Sequence, residues 1–137
     1  NKAIGHYTHE KNPIACAVAL ETINIIEELG LVKRAKRMGE YMLKRLHEME
    51  EESEIIGDVR GKGLLLGIEL VKDRDTRERN KIAAEAIMYD CLDHGLSFKV
   101  SMGNVLSLYP PMIITDDELD SAMDILDESI KRVNKNE

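Results

Sequence analysis

Apolar residues recur at steps of three and four in two long stretches of the chain, which predicts two amphipathic helices. The first stretch runs from Leu31 to about Glu52, and the second follows Thr115. Their apolar stripes are Leu31, Ala35, Met38, Met42, Leu46 and Met49, and then Leu119, Met123, Leu126, Ile130 and Val133. Thr115 is followed three residues later by Glu118, and this pair is the capping box that begins a helix.

Residues 13–29 show a different pattern, because small and apolar residues lie nearly all round the predicted helix. A helix of that kind is expected to be buried on most of its sides. Asn12 is a good N-cap, Pro13 suits the first helical position, and Gly30 ends the helix. A further helix is predicted from about Ile82 to Asp93.

Between these helices the apolar pattern becomes that of short strands. Strands are predicted at residues 55–60, 64–71, 96–100 and 105–109, with a turn at residues 61–63 between the first two. The order is helix, helix, hairpin, helix, two strands, helix. We therefore predict an α+β domain of two layers, in which helices cover one face of a small, mostly antiparallel sheet.

Composition limits the function classes that this chain can belong to. Its 137 residues fit one domain, and 43% hydrophobic with 33% charged residues is typical of a globular protein. A net charge of -7 and only 4% aromatic residues argue against a nucleic-acid partner. The longest apolar run, residues 14–20, is too short to span a membrane. We expect Cys16 and Cys91 to be buried, reduced thiols of a cytoplasmic protein.

The residues alone show no complete catalytic set. His6 and His9 lie three apart beside Glu10, but a metal site would need further ligands, so we predict no bound metal. Ordinary loop histidines are the favoured interpretation.

Asp58 and Glu69 flank the predicted hairpin and could act as paired carboxylates. A salt bridge to Arg60 is the favoured alternative, because ion pairs often imitate functional sites.

Thr8 lies just before the helix that begins at Asn12 and Pro13. Free N–H groups and the positive end of the helix dipole favour an anion there, and a nearby hydroxyl can bond a phosphate oxygen. Many loops carry a threonine before a helix, so this signal is weak by itself.

Three segments carry a resemblance to a known family. The segment from Thr8 to Cys16 resembles the Thr-x-x-x-Asn-Pro-x-x-[Cys/Ala] stretch of the class III, pyridoxal-phosphate-dependent aminotransferases. The segment from Asp58 to Leu70 resembles their Asp-x-Arg-Gly-x-Gly-Leu hairpin, and Gly103 to Glu118 resembles their Asn-x-[Leu/Ile]-Arg and Pro-Pro ending. The three occur in the family's order and cover nearly the whole chain. The form of the threonine segment is similar to that of the dialkylglycine decarboxylase branch, and the chain as a whole to 4-aminobutyrate and acetylornithine aminotransferases.

The resemblance implies the small, C-terminal domain of a fold-type I enzyme. Residues 1–12 would be a phosphate-contact loop, residues 13–30 an interdomain helix, and residues 31–137 the small domain, with the large cofactor-binding domain absent. Lys2 and Lys11 do not match the motif of the Schiff-base lysine. The resemblance therefore places no catalytic residue in this segment, and we expect the chain alone to be inactive. The parent protein would be an enzyme, acting with pyridoxal 5'-phosphate as a homodimer or higher homo-oligomer.

Two positions receive roles through the resemblance. Thr8 would reach across the dimer interface to the cofactor phosphate of the other subunit. Ser107 stands where most members that act on amino acids carry an arginine that binds the substrate carboxylate as a two-pronged pair. A serine cannot make that pair, so carboxylate recognition is expected to differ in this protein.

We therefore expect an aminotransferase that moves an amino group from a small amine or amino acid to a 2-oxo acid. Ser107 also suits an amino-acid racemase or epimerase of the same fold. A third hypothesis is a non-catalytic domain that associates with itself, because the apolar helix at residues 14–20 would otherwise expose a large surface.

Overall fold

The computed structural model describes residues 12–135, which divide into two compact units between Lys33 and Arg34. The helices and strands follow the predicted order. They are α1 (Pro13–Glu28), α2 (Leu31–Glu52), β1 (Ile56–Lys62), β2 (Leu65–Leu70), α3 (Lys81–Asp93), β3 (Lys99–Ser101), β4 (Val105–Leu108) and α4 (Asp116–Asn134). None of the helices within this described part of the chain is long and apolar enough to cross a membrane.

Helix α1 begins and ends as the sequence predicts. The Asn12 side chain accepts hydrogen bonds from the N–H groups of Ile14 and Ala15, at 3.0 and 3.4 Å. Gly30 follows the helix with a φ of +60°, which glycine adopts readily.

The expected burial of α1 is not found, because no residue of this helix is buried. Ile14 is 76% exposed and Val18 62% exposed. The prediction that Cys16 is a buried thiol is therefore wrong, whereas Cys91 is buried and both cysteines are free. An apolar pattern all round a helix favours burial, but burial also requires a second surface, which a local pattern does not specify.

The four strands form one antiparallel sheet in the order β1-β2-β4-β3. Alternate residues of each strand point to opposite faces of a sheet. The alternation is clearest in β2 and β4, where the buried residues are Leu66, Ile68, Leu70, Leu106 and Leu108. The predicted fold class, a two-layer α+β domain with an antiparallel sheet covered on one face, is confirmed.

Residues of α2, α3 and α4 complete one hydrophobic core against this buried face. They are Met38, Met42, Leu46 and Met49 of α2, Ala83, Ala84, Ile87 and Cys91 of α3, and Leu119, Met123, Leu126 and Ile130 of α4. The stripes predicted for α2 and α4 are therefore the stripes that pack.

Helices α2 and α4 lie side by side and run in the same direction. Arg37 binds Asp116 at 3.0 Å and Arg45 binds Asp124 at 2.8 Å. Residue numbers rise in the same direction in both helices from one pair to the next, so the helices are parallel. The hydrogen bond to Asp124 holds the pKa of Arg45 above its usual value. Surface pairs of this kind stabilise weakly, and their repeat along both helices mainly fixes how the helices align.

A two-pronged ion pair joins α3 to α4. Arg132 donates to both carboxylate oxygens of Asp90: from Nη2 to Oδ2 at 2.7 Å, and from Nε to Oδ2 at 3.1 Å and to Oδ1 at 3.3 Å. These bonds lower the pKa of Asp90 from its ordinary value of 3.8. Burial raises the pKa of the neighbouring Cys91 thiol, which keeps the sulfur neutral and part of the core.

The hairpin turn begins two residues later than predicted. β1 continues through Gly61 to Lys62, and the turn consists of Gly63 and Leu64. Gly63 has a φ of +57°, so this glycine makes the turn. A Cβ at Gly61 would lie 2.6 Å from the Leu65 carbonyl oxygen, so this glycine permits the two strands to approach closely.

The third strand is also shorter than predicted, since only Lys99–Ser101 pairs with β4. Leu96 and Phe98 precede it and pack, partly buried, against the core. Their apolar character comes from this packing and not from strand pairing, and composition alone does not separate the two.

The backbone of α2 passes very close to the β1–β2 turn. A Cβ built on Gly39 would lie 2.0 Å from the Gly63 carbonyl oxygen and 2.4 Å from the carbonyl carbon. Both neighbouring atoms belong to backbone, so neither can move aside cheaply. The helix therefore requires glycine at this position despite its poor helix propensity.

We predict that Gly39→Ala lowers the free energy of unfolding by about 2 kcal/mol or more, because overpacking exceeds the gain in helix propensity of about 1 kcal/mol. Urea denaturation followed by circular dichroism measures the change. Glu40→Ala, one residue along the same helix at an exposed position, is the control and should shift stability by no more than about 0.5 kcal/mol. A Gly39→Ala protein as stable as the wild type would contradict this close contact.

Candidate functional site

The sheet has a second face that the helices do not cover, and we call it the open face. It carries every strand residue that alternates with the buried set. Its members are Asp58, Arg60 and Lys62 of β1, Leu65, Gly67 and Glu69 of β2, Val105 and Ser107 of β4, and Lys99 and Ser101 of β3. These residues are exposed or half-buried. Polar and charged side chains can lie on this face because water still reaches them.

One row of residues crosses all four strands of the open face. Arg60 pairs with Gly67, Gly67 with Ser107, and Ser107 with Lys99. The two central residues are small and the two outer ones are long and cationic. The row therefore forms a shallow trough between two positive side chains.

Arg60 is held by two carboxylates at the β1 end of this trough. It binds Asp58, and it donates to Glu69 at 2.9 Å. Hydrogen bonds to Asp58 and then Glu69 hold the pKa of the Arg60 guanidinium above its usual value. The predicted salt bridge is confirmed, and the cluster carries one net negative charge, since two carboxylates face one guanidinium.

Ser107 lies at the centre of the open face, on β4. Its hydroxyl donates to the Ser101 hydroxyl across the β3–β4 pair at 2.8 Å. The Ser101 hydroxyl hydrogen is then left to donate outward, because each serine hydroxyl carries one hydrogen. The structure thus places the predicted residue Ser107 beside a hydroxyl that sequence reasoning did not identify.

Asn104 fixes the turn that positions these two serines. Asn104 is 1% exposed. Its side-chain amide donates to the Leu70 carbonyl at 2.9 Å, and its backbone carbonyl accepts from the Leu70 N–H at 2.8 Å. Met102 and Gly103 both take positive φ, the pair of angles typical of a type I′ hairpin turn. A buried side chain therefore anchors the β3–β4 hairpin to the end of β2.

Other candidate residues lie outside the described part of the chain. They are Thr8 and the pair His6 and His9. The predicted phosphate-contact loop, residues 1–12, also lies outside it except for Asn12. Among residues 12–135 there is no cluster of three or more histidine, cysteine or acidic side chains suited to a metal ion. At the start of α1, Asn12 already occupies the N–H groups of Ile14 and Ala15, so the described residues alone do not form a phosphate cradle.

An apolar cavity of about 270 Å³ lies beside the end of β4 and was not predicted. Its lining includes Leu96, Phe98, Leu108, Tyr109, Pro110 and Met123. The two prolines that follow β4 were the available signal, because proline lacks the N–H group that strand pairing needs. No acid or base among its described lining residues could perform proton transfer at neutral pH.

Comparison with known proteins now identifies the family. Residues 5–130 match the sequence profile described as aminotransferase class-III. The chain belongs to the class III aminotransferase family. The match includes the hairpin that bears Arg60 and the strand that bears Ser107, so the open face lies within the matched region.

The related proteins in this family differ in their named activities. The chain is 47% identical over 133 residues to a (R)-1-hydroxy-2-aminoethylphosphonate ammonia-lyase of Vibrio splendidus, with 97% of this chain and 28% of that protein covered. It is 45% identical to a leucine/methionine racemase of Thermococcus litoralis, with 95% of this chain and 30% of that protein covered. The chain thus spans less than a third of the length of these relatives.

The fold agrees with solved structures of aminotransferases. A crystal structure of a Bacillus anthracis aminotransferase superposes with a TM-score of 0.84 at 35% sequence identity, covering 96% of this chain and 32% of that one. The structural neighbours are fold-type I transaminases, as the sequence resemblance implied.

We predict that the Arg60 cluster contributes little to the stability of this class III domain. The side chains of Arg60 and Glu69 are 53% and 29% exposed, and exposed ion pairs stabilise by about 1 kcal/mol or less. Arg60→Gln and Glu69→Gln should each lower the unfolding free energy by no more than about 1 kcal/mol, with a smaller effect at high salt.

Urea denaturation at low and high salt tests this, with Lys36→Gln on α2 as the control for an ordinary exposed pair. A loss of about 3 kcal/mol for either cluster variant would instead show that the sheet depends on these charges.

Proposed function

We propose that this chain is the small-domain part of a longer pyridoxal-phosphate-dependent aminotransferase, similar to 4-aminobutyrate aminotransferase. That protein would transfer an amino group from a small amine or amino acid to a 2-oxo acid. The observation that carries the proposal is the family match over residues 5–130 together with the fold, in a chain that spans 28–32% of its relatives. Residues 1–12 would contact phosphate, residues 13–30 would link the domains, and residues 31–137 would form the small domain.

The cofactor in this proposal is pyridoxal 5'-phosphate, which stores the electron pair released at the substrate α-carbon when it is bound. Residues 12–135 do not form its site by themselves, since the first N–H groups of α1 are occupied by Asn12. The proposal gives this chain one contact, from the Thr8 hydroxyl to the cofactor phosphate of the other subunit. The Schiff-base lysine belongs to the longer protein, and we expect no turnover from the 137-residue chain alone.

The open face is proposed as one wall of the substrate cleft. Gly67 and Ser107 leave room over the centre of the sheet, and the charges at its two ends orient a bound molecule. Ser107 is neutral and donates its one hydroxyl hydrogen to Ser101, so it cannot form a two-pronged ion pair with a carboxylate, and Ser101 supplies the free donor beside it.

Helix α1 supports a partner surface in the complete protein. Its apolar residues remain exposed, among them Ile14, Val18, Leu20 and Ile23. Contiguous apolar surface on this scale marks a site of interaction. We propose that the large domain and a second subunit cover α1 in a homodimer, which accounts for apolar residues nearly all round the helix.

A second candidate function is amino-acid racemisation or epimerisation on the same fold. Two observations favour it: the neutral Ser107, and 45% identity to a leucine/methionine racemase. In that reaction the α-proton leaves one face of the substrate and returns to the other, and no 2-oxo acid is consumed.

The decisive experiment uses the longer polypeptide that contains this chain, purified with pyridoxal phosphate. Incubation with L-amino acids or amines and a 2-oxo acid should yield a new amino acid and a new carbonyl compound, measured by chromatography. Appearance of a D-enantiomer by chiral chromatography, with the 2-oxo acid unconsumed, would reject the aminotransferase and support the racemase.

We predict that Thr8→Ala weakens binding of pyridoxal phosphate to the longer protein about tenfold or more. A hydrogen bond to a charged acceptor contributes about 1.5–3 kcal/mol, and each 1.4 kcal/mol is a factor of ten. Cofactor titration by absorbance measures the change. Thr22→Ala is the matched control, because its hydroxyl bonds the Val18 carbonyl within α1 and should leave cofactor affinity unchanged. Equal affinity in Thr8→Ala would remove this residue from the cofactor site.

A further inference from the structure

We propose that Lys99, Ser101 and Ser107 form a subsite for a tetrahedral oxyanion, the phosphonate or sulfonate group of a small amine substrate. The identity of the occupant as a substrate rests on the proposed function above. The three residues lie together on the open face, at the β3 edge of the sheet, and no residue motif in the sequence marks them as a set.

The geometry that brings them together is the pairing of β3 with β4. Lys99 is the direct partner of Ser107, and Ser101 is two residues beyond Lys99 on the same strand. Residues paired across antiparallel strands, and residues two apart on one strand, share a face. The 2.8 Å bond between the two serine hydroxyls confirms which face it is. An ammonium group and two hydroxyls therefore border one patch.

The charges of the open face direct an anion to this patch and not to Arg60. Arg60 already binds Asp58 and Glu69, whereas no residue of 12–135 forms an ion pair or hydrogen bond with the Lys99 ammonium. The two cations stand three strand spacings apart, about 14 Å, so each acts separately at physiological salt. The Arg60 cluster carries one excess negative charge and would repel an anion. Lys62, the other lysine of this face, pairs with the apolar Leu65 and has no hydroxyl partner across the strands.

The donor types favour a tetrahedral anion over a planar one. A lysine ammonium is a compact point charge with three rotatable donors, and it lacks the planar fork with which arginine grips a carboxylate. The outward hydroxyl of Ser101 adds a directional donor. A phosphonate carries more charge and one more acceptor oxygen than a carboxylate, so this set of donors is expected to bind it more tightly.

The neighbouring position provides the space that a substrate needs. Gly67 is the partner of Ser107 on β2, and it has no side chain to fill the trough. A Cβ there would lie 3.3 Å from a methyl group of Val105, which is on the same open face, so the Val105 side chain borders this space on the side of Glu69. The carbon skeleton of a small amine can lie over Gly67 with its anion at Lys99 and its amine toward Glu69.

The test is an NMR titration of the ¹⁵N-labelled 137-residue chain at pH 8 with three probes of equal length. The probes are 2-aminoethylphosphonate, 2-aminoethanesulfonate and 3-aminopropanoate, which share an amine and differ in the anion. We expect the amide shifts to centre on residues 99, 101 and 107. The phosphonate should reach half-saturation at about a threefold lower concentration than the carboxylate, because attraction grows with charge.

Variants at exposed lysines assign the effect. Lys99→Gln should weaken phosphonate binding about tenfold, whereas Lys99→Arg should retain most of it, because only the first removes the charge. Lys62→Gln, a lysine of the same open face on β1, is the matched control and should bind as the wild type does. Binding unaltered by Lys99→Gln, shifts centred elsewhere, or no shift up to about 50 mM probe would each overturn the subsite.

The titration contains no cofactor and measures no turnover, so its outcome is separate from that of the proposed function. If the longer enzyme transaminates but the 137-residue chain binds no phosphonate, the subsite is rejected and the proposed function is not. In the longer enzyme, Lys99→Gln should raise the KM for the phosphonate amine and leave kcat nearly unchanged, since the lost contact binds ground state and transition state alike.

Discussion

The alternation of side chains along β2 is the constraint on which the rest of this structure depends. Leu66, Ile68 and Leu70 face the helices, so Gly67 and Glu69 must face away from them. A shift of one residue in the pairing would exchange the two sets and bury a carboxylate. The register therefore settles at once where the core lies, which sheet face stays open, and which residues can meet a ligand.

The two surfaces left uncovered differ in kind. Helix α1 presents apolar side chains, while the open face presents an arginine with two carboxylates at one end and a lysine with two serines at the other. An apolar surface suits a protein partner, and a polar trough with separated charges suits a small zwitterion. Both surfaces belong to a chain that spans 28–30% of the length of the relatives that it matches.

Much of the fold could be predicted from local signals. The apolar stripes of α2 and α4 and the capping box at Thr115 and Glu118 each specify their element within a few residues. The errors share one cause, which is that the signal depends on neighbours distant in sequence. Gly61 resembles a turn glycine until the opposite strand is known, and Cys16 resembles a buried thiol until its helix is found exposed. In the candidate site, the salt bridge of Arg60 could be predicted because Asp58 is two residues away on the same strand and Glu69 lies on the next strand of the same hairpin.

The sequence by itself determined the family, the order of the elements, and Thr8 and Ser107 as candidate contacts, because these depend on motifs and on periodicity along one segment. Only the tertiary structure decided that Ser101 and Lys99 accompany Ser107, and that Arg60 and Lys99 face the same side without competing for one anion. The reason is physical: strand order β1-β2-β4-β3 and its register bring together residues up to 47 positions apart, from Arg60 to Ser107, and no local pattern encodes that pairing. Burial is decided at the same level, because it depends on which surfaces meet.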